Sequence, residues 1–385
     1  MQLQSLEFSE YECTDREWKL TGLCLGNRNL IVGKNATGKT RTLNVIASLA
    51  GYLSGSRPVS ESSNYDARFI DGDTTLRYEA KHDGKQVVME RFSVDDDLML
   101  DRGEGGKGKI FAAKIDGGKM IDFQTPPGQP AVARRDSLQH PFLEPLHDWG
   151  ESLRHFYFGT PLGKDRLAVF VNGGQEVNER DPNAVVALFR KAMKEFRGEF
   201  KYKVINDMNA LGYDIKDMNV EAPMSLHSSG LPAEMVGLCV QEADLLCITD
   251  QHCMSQGMFR AFSILIHVNY AQMSQKTQCI LIDDIGEGLD FDRSCLLIDV
   301  LRKKAEKSSM QLVLSTNDRF VMNNVPLDEW SVLQRHGTEV SVHNPENARD
   351  VFEEFRFTGL SNFSFLEMDF ISGPPECEEE VPDDE

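Results

Sequence analysis

Residues 29–40 read Asn-Leu-Ile-Val-Gly-Lys-Asn-Ala-Thr-Gly-Lys-Thr, and this stretch decides the fold. Asn29–Val32 is a short apolar run that stops at Gly33, as a buried strand does on reaching a turn. Gly33, Lys34, Asn35, Ala36, Thr37, Gly38, Lys39 and Thr40 then fit GxxxxGK[ST] at every fixed position. A loop that wraps phosphates must bring backbone N–H groups close, so glycines bracket it. The helix that follows points its N-terminus at the anion. Apolar residues at Leu43, Ile46, Ala47 and Leu53 supply that helix. In such a loop Lys39 places charge on the β- and γ-phosphates, and Thr40 offers a hydroxyl oxygen to Mg²⁺. The reading is an ATP site with Mg²⁺, Arg41 flanking it.

A phosphate loop needs carboxylates nearby to hold the metal's water shell and orient a water. Cys279-Ile280-Leu281-Ile282-Asp283-Asp284 is an apolar run ending in two acids, the pattern of a buried parallel strand. Asp283 is the natural Mg²⁺ partner, and Asp284 stands where a base or water-orienting residue belongs. A plain core strand followed by a helix cap is the competing reading, and the upstream loop weighs against it. Asp290 and Asp292 fit turn chemistry better than a second metal centre.

The 385 residues suit one large α/β domain with insertions or two modest domains, and 41% hydrophobic content allows a sizeable core. No apolar run approaches the roughly 20 residues that cross a bilayer. The N-terminus is neither basic nor apolar, so a cytoplasmic protein with no membrane partner is expected. None of the eight cysteines forms a CxxC pair, which favours free, buried thiols over zinc or disulfides. The formal net charge is -20. It opposes non-specific duplex binding, leaving nucleic acid only a basic groove built in an assembly. Glu376, Glu378–Glu380 and Asp383–Glu385, broken by prolines, read as a disordered tail over 373–385.

Between these motifs the pattern changes. Leu76–Ala80 and Val87–Phe92 flank Asp83-Gly84, and Ile110–Ile115 and Met120–Phe123 flank Asp116-Gly117. Both are hairpin signals. Gly103–Gly108 lacks a strand-loop-helix context and reads as a flexible tip. Residues 141–158 read as a helix and a strand, and an amphipathic helix follows Asp181-Pro182. Its basic face (Arg190, Lys191, Lys194, Arg197) reads first as a solvated face and second as a binding surface. From about 251 the order is helix, strand, helix, strand.

These residues resemble the ABC-type ATPase heads of the SMC, RecF and OLD-like branch. Asn29–Thr40 resembles that branch's Walker A, and Met254–Arg260 its signature motif, with Ser255, Gln256 and Gly257 opening a helix. Leu281–Asp290 resembles Walker B running into the D-loop. Leu312–Asp318 resembles the strand ending in the switch residue, here Asn317. The resemblance implies an α/β P-loop NTPase fold with an antiparallel β-rich lobe and a helical insertion. An ABC-type domain would span 1–345, in lobes of 1–54, 55–160, 161–250 and 251–345. A C-terminal extension would cover 346–372. It further implies an ATP-sandwiched homodimer, with Ser255 of one copy facing the γ-phosphate held by another and Asp290 near the joint.

Two positions depart from the family. Asp284 stands where Glu is usual, and Asn317 where His is usual. Both favour slow hydrolysis over a fast motor. For the Q-loop the candidate is Gln139, with Gln124 and Gln129 as competitors. Tyr11 or Trp18 could stack on adenine or simply pack in the core. The resemblance also implies a separate effector partner, such as a nuclease or toxin, in DNA maintenance or phage defence. A built-in nuclease domain does not fit the short chain after Asp318. A transporter subunit fits poorly with the hairpin-rich insertion. A nucleotide-gated scaffold with little turnover remains the other reading.

Overall fold

The run at 29–32 forms a strand because both of its faces are covered. In the computed structural model, which describes residues 1–170, 177–223, 234–276 and 279–372, Leu30 and Val32 enter one apolar cluster while Ile31 enters the other. The same alternation holds at 279–282 and 312–314. Ile280, Ile282, Leu312 and Leu314 face one way, and Cys279, Leu281 and Val313 the other. Side chains alternate along a strand, so a strand buried on both sides must be apolar throughout.

In chain order the elements are β1 (Gln2–Glu10), β2 (Trp18–Cys24), β3 (Arg28–Val32), α1 (Lys39–Leu53), β4 (Ser62–Asp71), β5 (Thr74–Asp83), β6 (Gln86–Val94), β7 (Asp97–Arg102), β8 (Lys107–Ala112) and β9 (Lys119–Gln124). Then come α2 (Glu144–Ser152), β10 (Arg154–Tyr157), β11 (Ala168–Phe170), α3 (Val185–Ala210), β12 (Ile215–Glu221), β13 (Glu234–Glu242) and β14 (Thr249–Asp250). The last part holds α4 (Gln256–Met273), β15 (Cys279–Asp283), α5 (Phe291–Glu306), β16 (Gln311–Ser315), α6 (Arg319–Asn324), β17 (Trp330–His336), β18 (Glu339–His343), α7 (Arg349–Phe357) and α8 (Asn362–Glu367).

Among the described residues fourteen strands form one sheet, in the order β10-β15-β16-β3-β17-β18-β2-β1-β4-β5-β6-β7-β8-β9. Its first five strands run parallel. From β1 onward, β4 to β9 follow as antiparallel neighbours. The parallel half carries helices on both faces. α1 covers one with Leu43, Ile46 and Leu49, and α4 covers the other, buried along most of its length. Because β15, β16 and β3 are parallel neighbours, their C-terminal ends lie side by side, which is where ligands bind in open α/β sheets.

Both Asp-Gly hairpins form, as β5–β6 and β8–β9. The glycine run at 103–108 is not a loose tip. Gly106 is buried, Thr125 N–H donates to its carbonyl at 2.9 Å, and a Cβ there would overlap the Thr125 carbonyl oxygen. The glycines permit close backbone approach. A buried pair locks the same lobe: Arg102 Nη1 donates to Glu90 Oε2 at 3.0 Å with both side chains fully buried. Ala131 N–H also donates to Glu90, at 2.8 Å.

The helix after Pro182 extends to Ala210, with a break at Arg197 where φ is 55° and ψ -137°. Its basic face is partly neutralised, since Lys191 pairs with Glu179 at 2.6 Å and with Glu195 at 3.9 Å. The cysteines among the described residues are all free, but Cys13, Cys247 and Cys253 are exposed, contrary to the expectation of burial. Cys377 and the acidic stretch 373–385 lie outside the described residues. No helix among the described residues is long and apolar enough to cross a membrane.

Candidate functional site

The loop read from the sequence as a phosphate cradle connects the end of β3 to α1. Gly33 is required by space, since a Cβ there would stand 2.6 Å from Thr37 Oγ1 and 3.0 Å from the Leu333 carbonyl oxygen. Gly38 takes φ 108° as the helix opens, and Ala36 takes φ 65°. No side chain caps α1, so the N–H groups of its first turn point into the loop without a competing acceptor. Inside the loop Thr37 Oγ1 donates to the Lys34 carbonyl at 2.9 Å. Lys39 Nζ donates to the Gly33 carbonyl at 2.9 Å and the Lys34 carbonyl at 3.3 Å. Lys39 is buried, and burial pulls its ammonium below the ordinary lysine range while Asp284 and Asp283 oppose the shift.

Asp283 ends β15 and is buried. Ser315, the last residue of β16, donates its hydroxyl to Asp283 Oδ1 at 2.5 Å. The same Ser315 oxygen accepts the Asp284 backbone N–H at 3.0 Å. Asp284 has a left-handed φ of 53°, a conformation Asp tolerates better than most residues. Its Oδ1 accepts from Asn317 Nδ2 at 3.2 Å. Burial first, then the Asp283 charge, raises its carboxyl above the usual range, and Lys39 pulls it back. Asp283, Asp284, Lys39, Ser315 and Asn317 therefore share one electrostatic neighbourhood.

The Ser255 turn packs on the segment that follows Asp284. Ser255 caps α4, accepting Met258 N–H at 3.1 Å. Gln256 Nε2 reaches the Thr160 carbonyl at 3.5 Å. A Cβ on Gly257 would stand 2.5 Å from the Gly288 carbonyl oxygen, so α4 begins packed against the 286–290 segment. Arg260 reinforces that contact, donating to the Glu287 carbonyl at 2.6 Å and the Thr160 carbonyl at 3.1 Å. Asp290 caps α5 by accepting Arg293 N–H at 2.9 Å, which is turn chemistry. Among the described residues no hydrogen bond joins 255–257 to the loop 33–40.

Other expected residues are placed differently. Gln139 receives Ala113 N–H on its carbonyl at 2.9 Å, and its own N–H donates to Asp136 at 3.0 Å. Its contacts thus lie beside β8, nine steps along the sheet order from β3. The segment bonded to Asp283 comes from the opposite end of the sheet: just past β10, Phe158 N–H donates to the Asp283 carbonyl at 3.0 Å. Trp18 is buried under the loop, its ring 3.5 Å from where a Gly38 Cβ would stand. Arg41 lies over that ring at 4.4 Å and pairs with Glu10 at 2.5 Å. Tyr11 has Arg16 over its ring at 4.1 Å.

Sequence reading missed three residues here. Ser315 lies within the stretch 312–318, next to the residue that drew attention. Arg335 donates to the Ala36 carbonyl at 3.2 Å, and Asp369 pairs with Lys34 at 2.9 Å. Neither of these two sits in a motif.

No family model and no curated protein matches the chain. Among solved structures it is similar to an SMC head bound to the C-terminal winged-helix domain of ScpA. That match has TM-score 0.52 and 12% identity, covering 91% of this chain and 100% of that one. The SMC head of Thermotoga maritima gives 0.45 and 12%, covering 89% and 99%. An SMC head with an extended coiled coil, bound to a ScpA domain derived from Pyrococcus furiosus, gives 0.47 and 13%, covering 92% and 99%. The first of these carries the likeness, and at such identity it is one of fold: that of an SMC head.

Proposed function

We propose that this chain binds and hydrolyses ATP. Two copies close face to face, each triphosphate held between loop 33–40 of one copy and the Ser255–Gly257 turn of the other. The observation that carries the reading is the convergence of Lys39, Asp283, Asp284, Ser315 and Asn317 at the adjoining ends of β3, β15 and β16. The anion cradle and the buried carboxylate fit a nucleoside triphosphate with its metal. Mg²⁺, held by Thr40 and Asp283, would neutralise charge on the β- and γ-phosphates.

The chain's own residues divide the remaining work. The N–H groups of 34–40 and the Lys39 ammonium orient the phosphates. Ser315 fixes the Asp283 rotamer and the Asp284 backbone together. Asp284 accepts the proton of the attacking water, and Asn317 holds the carboxylate in place. The Ser255–Gly257 turn opens a helix whose N-terminus suits a phosphate. It bonds Thr160 and packs against the 286–290 segment of its own chain and, among the described residues, makes no hydrogen bond to its own loop 33–40, which is compatible with a role toward a second copy. Closure would move the lobes built on 55–250 and act on a partner effector, in DNA maintenance or phage defence as the resemblance implies.

The test is steady-state phosphate release with Lys39→Ala as control, and light scattering of Asp284→Asn with and without ATP. Lys39-dependent release and an ATP-induced doubling of mass support the proposal. Unchanged mass in both states sinks the sandwich. A second reading, a nucleotide-gated scaffold, draws on the short Asp284 side chain tied to Asn317. It predicts ATP-dependent doubling with no Lys39-dependent release.

A further inference from the structure

The outer rim of the phosphate loop is held by the last described part of the chain. Lys34, the second residue of the loop, is bonded through its ammonium to Asp369 Oδ2 at 2.9 Å. The other oxygen of that carboxylate, Oδ1, accepts from Gln334 Nε2 at 3.1 Å and from Ser372 Oγ at 3.0 Å. Gln334 precedes Arg335, which bonds the Ala36 carbonyl. The rim is thus gripped at two points by β17 and by the segment after α8.

The segment 349–372 is anchored well away from the rim. Phe352, Phe355 and Phe365 are buried, with ring centroids 4.7 Å apart for Phe352 and Phe365 and 5.0 Å for Phe355 and Phe365. Asn362 Nδ2 donates to the Val325 carbonyl at 2.9 Å, and Phe363 N–H to Asn323 Oδ1 at 2.8 Å. Those acceptors lie at the end of α6, the helix that opens just after Asn317. One strap therefore touches both the loop rim and the element that follows the switch position.

We infer that Asp369 competes with the nucleotide's phosphates for the Lys34 ammonium, and that loop occupancy is thereby reported to the strap 349–372. The inference rests on the nucleotide-binding reading above. Lys34 is the flexible, exposed cation of the loop, whereas Lys39 is buried at its centre. An ion pair this exposed is weak, so an arriving triphosphate can take the lysine from Asp369. The Lys34 hydrogen bond is also the main influence holding the Asp369 carboxyl below its usual range. Once Lys34 turns to phosphate, the strap loses its direct bond to the loop and keeps only the bonds of Gln334 to Asp369 and Ser372, so its end loosens.

Asp369→Asn separates charge from structure. The amide oxygen can still accept from Gln334 and Ser372, while its NH₂ faces Lys34 in place of Oδ2. Affinity for a fluorescent ATP analogue should tighten about two- to fivefold, with the gap narrowing as salt rises. In a Lys34→Gln background the same substitution should have no effect. AMP-PNP should raise amide exchange over 362–372 in the natural chain and add nothing in Asp369→Asn. Unchanged affinity in Asp369→Asn, an equal change in the Lys34→Gln background, or unchanged exchange with AMP-PNP overturns the inference. If the natural chain binds the analogue and Lys39→Ala abolishes binding, such a result removes the strap alone. If the natural chain does not bind, the site reading falls and the strap with it.

Discussion

The side-chain amide of Asn317 donates to Asp284 Oδ1 at 3.2 Å, so the residue after β15 and the second residue past β16 meet across adjoining strand ends. The bond brings together the two positions that the sequence resemblance marks as departures, Asp284 for Glu and Asn317 for His. A carboxylate one carbon shorter than Glu is held by an amide that cannot titrate near neutrality. Ser315 ties the same pair of strands a second time, through Asp283 and the Asp284 N–H.

Asp284→Asn should lower ATP turnover about 10²- to 10³-fold while nucleotide affinity stays within about threefold. The loss belongs to proton transfer and not to binding. Single-turnover hydrolysis beside equilibrium binding separates the two, and an equal loss in both would show that Asp284 serves the ground state.

Turnover should fall on the acid side at a pH above the ordinary aspartate range. Burial and the Asp283 charge raise the Asp284 carboxyl, so it protonates, and ceases to accept a proton, earlier as pH drops. Asn317→Asp places a like charge beside it and should move the acid limb to still higher pH. A pH–rate profile of both proteins checks the direction.

Gly257→Ala should separate α4 from the 286–290 segment, because the new Cβ would meet the Gly288 carbonyl oxygen at 2.5 Å. Overpacking of this kind costs about 1–3 kcal/mol. Thermal denaturation should show a modest drop, and light scattering the loss of ATP-dependent doubling while monomer binding of nucleotide survives.

Arg102→Met should destabilise the chain by about 3–5 kcal/mol, since it strands the buried Glu90 carboxylate. The double variant Arg102→Met with Glu90→Leu should recover part of that loss. Denaturant titration of the single and double variants gives the comparison.

Glu179 supplies an acid-side stability limb. Burial alone would raise its carboxyl, but hydrogen bonds from Lys191, Lys276 and Tyr270 bring it down to about 2. Between that value and the ordinary glutamate range the unfolded chain binds more protons than the folded one, so stability rises with pH there. The contribution is complete above the unfolded value and is lost as pH falls toward 2. After solvent screening it is on the order of 1–2 kcal/mol. In Glu179→Gln the pH dependence of the denaturation midpoint should flatten over that interval.

The loop 33–40, the acids 283 and 284 and the switch stretch 312–318 were legible because each is local. A strand, a tight turn and a helix start are written within a dozen residues, and the apolar runs declare a sheet covered on both faces. The hairpins were legible for the same reason, through Asp-Gly between alternating runs. The role of Gly106 was not, since its neighbour is Thr125, just past β9 and some twenty residues on. Gln139 looked suitable by order along the chain, yet its bonds run to Ala113 and Asp136.

By itself the sequence determined the glycine-bracketed loop 33–40, the alternating apolar strands that flank it, and which side chains stand at their ends. Tertiary structure alone decided which of those ends adjoin, that Ser315 holds both acids, and that Arg335 and Asp369 grip the rim of the loop from the far end of the chain. The physical reason is separation. Backbone preference and side-chain period act over a few residues and leave a local imprint. An ion pair between residues 34 and 369 exists only because packing of a distant core brings them within 2.9 Å, and no local pattern records it.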